Sequence, residues 1–97
     1  MRARRTDSNH AEIMAAFRKC GYAVHDTSRL GGGFPDLVVH RETILLVEVK
    51  DGRKPPSARK LTDNELEFSY RFPVQIVASV DDVIALAGHP DGWRKHL

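Results

Sequence analysis

The sequence predicts an α/β fold: a mixed β-sheet flanked by helices, in the order α-β-β-β-α-β-α. Three observations predict it. An apolar stripe at helical spacing comes first in the chain. Two β-branched apolar runs separated by three residues then read as a hairpin. A second helical stretch is followed by a further strand and a short helix. At 97 residues, one domain spanning 1–97 is expected, because a chain this short closes one core and not two.

The elements follow in order. Residues 1–7 form an expected flexible basic arm carrying Arg2, Arg4 and Arg5. Residues 9–20 read as the first helix, with Ile13, Ala16, Phe17 and Cys20 on one stripe. Asn9 and Glu12 have the spacing of a capping box, and Gly21 is the expected stop. Tyr22 to Thr27 is the first strand. GGGFP at 31–35 is a breaker, with three glycines for unusual backbone angles and a proline that keeps Phe34 out of the helical region. Asp36–His40 and Ile44–Lys50 are the hairpin strands, joined by Arg41, Glu42 and Thr43. Both are apolar on both faces through most of their length, so a central position covered on each side is expected. Residues 51–60 form a basic loop with Pro55 and Pro56. Leu61 or Thr62 opens a helix reaching about Phe72, which Pro73 ends. Val74–Ser79 is the last strand and Asp81–Ala87 the last helix, ended by Gly88. There is no internal repeat and no low-complexity tract.

Composition excludes several classes. Hydrophobic residues are 41% and charged residues 29%, a globular balance and not that of a disordered chain. No apolar run reaches the ~18–20 residues that cross a bilayer. The start, MRARRTDSN, has no apolar h-region, so no secretory signal is expected. Cys20 is the one cysteine. It forms no internal disulfide and argues against a cysteine-based zinc site, and a reducing cytoplasm is the natural compartment. The histidines at 10, 25, 40, 89 and 96 show no ligand spacing. Trp93 reads as a late core or interface residue.

The net charge is only +2, but its distribution is uneven. Residues 50–60 hold Lys50, Arg53, Lys54, Arg59 and Lys60 against Asp51. Such a run alone is commonly a solvated face. It gains meaning because it begins at Lys50.

The hairpin geometry carries the chemistry. With Arg41–Thr43 as the loop, His40 faces Ile44 and Asp36 faces Glu48. Side chains alternate along a strand, so Asp36, Glu48 and Lys50 project from one face while Leu37, Val39, Leu45, Val47 and Val49 fill the other. Facing Cβ atoms lie only ~5 Å apart, and like charges at that separation repel. A divalent cation at ~2.0–2.5 Å from the carboxylate oxygens neutralises the pair. A one-residue slip in register would separate the two carboxylates. A hard metal beside a lysine suits phosphodiester hydrolysis: the ion activates water, and a protonated Lys50 orients it and stabilises developing charge. Pro-Asp alone and Glu-x-Lys alone are common. A Gly-rich turn, Pro35-Asp36, an apolar strand, a hairpin and Glu48-Val49-Lys50 together are far more specific.

These residues resemble a known superfamily. GGGFPDLVV at 31–39 and ILLVEVKDG at 44–52 resemble the PD-(D/E)XK nucleases. KPPSARKLTDNELEF at 54–68 resembles the virus-type replication-repair nuclease family, VRR-NUC, in the small stand-alone form typical of phages and prophages. The resemblance covers residues 9–88 and implies a restriction-endonuclease-like fold. It implies that Asp36 and Glu48 bind Mg²⁺ or Mn²⁺, with the Val49 carbonyl as a further ligand, and that Lys50 is the motif lysine. Glu12 matches a first-helix acid that often joins the metal and catalytic site, a role that stands beside its capping one. The family often has glutamine where this chain has Glu65, and surface exposure is the expectation for Glu65.

Arg53, Lys54, Arg59 and Lys60 are the candidate DNA-phosphate contacts. The glycines, Gly32 and Gly33 among them, make the turn and, as a side effect, let backbone approach DNA. The function implied is a metal-dependent, structure-selective DNA endonuclease acting on branched, flap or junction substrates. The alternative is a catalytically inactive DNA-binding module on the same fold. No feature speaks for a regulator or structural protein outside nucleic-acid chemistry. A homodimer is expected, with 74–78, 83–87 and Trp93 as candidate interface. No membrane association is expected.

Overall fold

The structure, a computed structural model, describes residues 7–89. Residues 1–6 of the expected arm at 1–7, and the tail with Trp93 and His96, lie outside the described residues. The elements are α1 (His10–Lys19), β1 (Ala23–Asp26), β2 (Leu37–His40), β3 (Ile44–Val49), a 3₁₀ turn at Pro56–Arg59, α2 (Asp63–Arg71), β4 (Gln75–Val77) and α3 (Val80–Ala87). The four strands form one sheet in the order β1-β2-β3-β4. β1–β2 and β2–β3 are antiparallel and β3–β4 is parallel. This is the mixed sheet that the sequence predicts.

The hairpin has the predicted register, with Leu37 opposite Val47 and His40 opposite Ile44. Strand alternation then sorts the side chains. Leu37, Val39, Leu45, Val47 and Val49 join Ile13, Ala16 and Phe17 of α1 and Val83 and Leu86 of α3 in one core. α1 and α3 therefore cover this face. Burying such side chains contributes about 1.5–3 kcal/mol each. Arg41 of the hairpin loop closes the far end of this layer. Its guanidinium donates to the carbonyls of Cys20 and Ala87, at the C-termini of α1 and α3, and lies 4.5 Å from the centre of the Tyr22 ring.

The opposite face departs from expectation. It is not covered throughout: Val38 and Leu46 are half-buried, and Ile44 and Ile76 are exposed. α2 accounts for the difference. It is nine residues long and docks only at the end of the sheet that carries Glu48 and Lys50.

The helix termini also correct the reading of Asn9. Its side chain makes no cap hydrogen bond. Asn9 is buried, and its Nδ2 donates to the Lys50 carbonyl at 3.0 Å and the Ala78 carbonyl at 3.3 Å. Those carbonyls follow β3 and β4, and a buried carbonyl past a strand end needs a donor. Asn9 thus ties α1 to both strands. The capping box occurs in α2, where Thr62 accepts from the Glu65 N–H and Glu65 accepts from the Thr62 N–H.

Candidate active site

The turn before β2 sets the position of Asp36. Gly31, Gly32 and Gly33 all have positive φ, at 66°, 64° and 88°. A Cβ at Gly33 would lie 2.4 Å from the Asn64 carbonyl oxygen, so bare backbone there lets α2 dock. Nothing within 4 Å opposes a Cβ at Gly31 or Gly32. Phe34 packs edge-on against Phe68 of α2, with ring centres 5.3 Å apart. Thr27 then fixes Pro35 and Asp36: its Oγ1 donates to the Pro35 carbonyl at 2.7 Å and its N–H to the Asp36 carbonyl at 2.8 Å.

The ladder stops at Leu37–Val47, so Asp36 lies one step beyond it. The Asp36 carboxylate accepts the Val49 N–H at 2.9 Å, and Asp36 and Glu48 are both buried. Burial first, then Asp36, then a hydrogen bond with Glu65 push the Glu48 carboxyl up to about 9. The repulsion foreseen from the register therefore acts in the folded protein, and Glu48 resolves it by keeping its proton.

Lys50 completes the group. Its ammonium lies 2.9 Å from Glu65 Oε1 and 3.6 Å from Glu48 Oε2. Burial lowers the Lys50 pKa, but the Glu65 hydrogen bond and the charge of Glu48 outweigh it and the net shift is upward. Lys50 is therefore a cation at neutral pH. Glu65, expected at the surface, is only 6% exposed. Burial raises its pKa, but hydrogen bonds from Thr62, Lys50 and Glu48 prevail and lower it.

The structure thus brings Asp36, Glu48 and Lys50 together and adds Glu65. Glu12 is exposed on a cavity of about 520 Å³ whose lining includes Asn9, Gly52, Arg53 and Arg59 but none of Asp36, Glu48, Lys50 and Glu65. Among the described residues, no three His, Cys, Asp or Glu side chains are grouped as a ready metal cage.

The basic loop follows β3. Asp51 is buried and accepts from Ser8 and from the backbone and guanidinium of Arg53, and these bonds hold its carboxyl well below the usual range. Sequence reading gave Asp51 no role. Its alternation with Arg53 resembles any charged loop, and only the fold shows it buried. Arg53, Lys54 and Lys60 are exposed and Arg59 is half-buried. Lys54 lies 3.4 Å from Asp7, and Arg59 Nε donates to the Lys54 carbonyl. No helix among the described residues is long and apolar enough to cross a membrane.

No protein-family model matches the chain, and no curated protein matches it. A solved structure described as a VRR_NUC domain does. It is 30% identical, covers 82% of this chain and 90% of its own, and superposes with a TM-score of 0.60.

Proposed function

The chain belongs to the VRR-NUC family, a nuclease-type domain, and from that premise we propose that it is a metal-dependent DNA endonuclease of PD-(D/E)XK chemistry. The observation that carries this reading is the burial of Asp36 beside Glu48 with a cationic Lys50 next to them. Two carboxylates that force one to stay protonated form a donor set suited to Mg²⁺ or Mn²⁺, which favour anionic oxygen. Asp36 and Glu48 would hold the ion. The Val49 carbonyl is a third candidate: the N–H and C=O of one strand residue point to the same edge, and the Val49 N–H points at Asp36.

When bound, the ion supplies an activated water and charge stabilisation at the scissile phosphate. The chain's own groups do the rest. Lys50, held as an ammonium, donates toward the attacking water and the phosphoryl oxygens and stabilises negative charge as it develops. It does not act as a base, because its proton is tightly held. Arg53, Lys54, Arg59 and Lys60 supply phosphate contacts outside the site. Gly32, with open space around its α-carbon, suits close approach of DNA, whereas Gly33 is occupied by α2. Branched, flap or junction DNA is the proposed substrate class. A homodimer is proposed to grip it, with exposed Ile76 and Ile84 in the two segments named above; light scattering should give twice the chain mass.

Incubation with branched DNA and Mn²⁺ tests the reading. Cleavage supports it. Binding without cleavage favours the inactive DNA-binding module, and the absence of both cleavage and binding would leave no nucleic-acid reading standing.

A further inference from the structure

Glu65 has more to do than cap a helix. A capping glutamate needs one backbone donor and is ordinarily wet. Here the same oxygen, Oε1, accepts from the Thr62 N–H at 2.9 Å and from the Lys50 ammonium at 2.9 Å, and the residue is buried. The ammonium is closer to Glu65 than to Glu48. Lysine carries its charge on a flexible four-carbon stem, so its direction must be set from outside. α2 can set it because the helix is itself fixed, by backbone contact between Gly33 and Asn64 and by the Phe34–Phe68 ring pair.

We infer that Glu65 is a positioning residue for the proposed nuclease reaction: through Oε1 it fastens the Lys50 ammonium to the first turn of α2, beside Glu48. The inference rests on the nuclease reading for its kinetic consequence but not for the anchoring itself. Glu65 acts through Lys50, so its removal should slow turnover while leaving the strength of DNA binding unchanged. Removing the cap by another route should not.

The test compares wild type with Glu65→Ala, Glu65→Gln and Thr62→Ala, together with Lys50→Ala and the Lys50→Ala/Glu65→Ala double variant. In the first arm an amine-acylating reagent is applied at limiting dose without DNA, and Lys50 modification is read by mass spectrometry. A hydrogen bond between charged groups corresponds to a factor of roughly ten to a hundred. Lys50 should be labelled faster by about that factor in Glu65→Ala, and at the wild-type rate in Thr62→Ala. In the second arm kcat should fall by a similar factor in Glu65→Ala with KM unchanged. Glu65→Gln, which keeps an acceptor, should restore much of it. The double variant should cut no more slowly than Lys50→Ala. Where Glu65→Ala does not fold, Glu65→Met keeps the volume without an acceptor. Unchanged Lys50 labelling overturns the inference, as does equal loss in Thr62→Ala or a further loss in the double variant. If wild type does not cut DNA, the nuclease reading fails, while the labelling arm still decides whether Glu65 holds Lys50.

Discussion

At Glu48, burial and the charge of Asp36 act in the same direction, and both are local enough to be altered one residue at a time. The unfolded chain releases the Glu48 proton near its ordinary 4.5, while the folded chain keeps it to about 9. Within that window the folded state binds more protons, so metal-free stability falls as pH rises through it and levels off outside it. The slope is at most about 1.4 kcal/mol per pH unit for one proton. Urea unfolding in chelator at about pH 5 and about pH 8 should show the lower stability at the higher pH. Asp36→Asn removes one cause of the shift and should narrow that window from its upper end, so the total loss across it shrinks; an unchanged upper limit would mean that the carboxylates do not interact. The same substitution removes an anionic ligand, so Mn²⁺ affinity in titration calorimetry should drop and cleavage with it. Lys50→Ala removes a cation and no ligand. Metal binding should persist or tighten while cleavage is lost, and a variant that cuts at the wild-type rate would place the active site elsewhere.

At the scale of elements, the parts read most directly from sequence are those fixed by neighbours along the chain. The three-residue loop Arg41–Thr43 sets the β2–β3 register, and strand alternation then brings Asp36 and Glu48 to one face. Asn9 was assigned by the same local rules, and Glu65 was expected at the surface; both came out differently, because their partners are distant in sequence. Asn9 serves carbonyls at Lys50 and Ala78 that become available only when β3 and β4 pair. Thr62-x-x-Glu65 has the capping-box spacing, a signal for the cap that sequence reading left unused, and that spacing says nothing of the lysine that meets Glu65. The exposed sheet face was missed because apolar composition does not reveal how long the covering helix is. The docking of that helix gives a prediction at this scale. Gly33→Ala meets left-handed backbone, about 1–2 kcal/mol, and overpacking against Asn64, about 1–3 kcal/mol more. Gly32→Ala meets only the first of these, since nothing lies within 4 Å. Denaturant melts should rank Gly33→Ala clearly below Gly32→Ala. Equal losses would mean that α2 does not rest on Gly33.

For the whole molecule, the proposed function raises the question of how a chain with a net charge of only +2 would hold a polyanion. Total charge cannot supply the attraction, so its distribution must. Lys50 contributes little from a distance, because its side chain is 12% exposed and already paired. The loop following β3 differs. Lys54 and Lys60 stand exposed, and the Lys54–Asp7 pair is a surface contact worth little. Arg53 is held against Asp51, which fixes its direction without hiding it, as its side chain remains 71% exposed. A loop of this kind should bind phosphates by releasing counterions, with a slope of roughly −0.9 in log affinity against log salt for each phosphate neutralised on duplex DNA. Replacing Lys54, Arg59 and Lys60 with alanine should therefore flatten the slope and weaken binding at low salt, with little change in fold because none of the three is in the core. Lys50→Ala should leave the slope close to that of wild type while abolishing cleavage. The two variants separate grip from chemistry in one set of fluorescence-anisotropy titrations across salt concentrations. A slope unaltered by the triple substitution would reduce the basic loop to a solvated face and require that DNA be held by another surface.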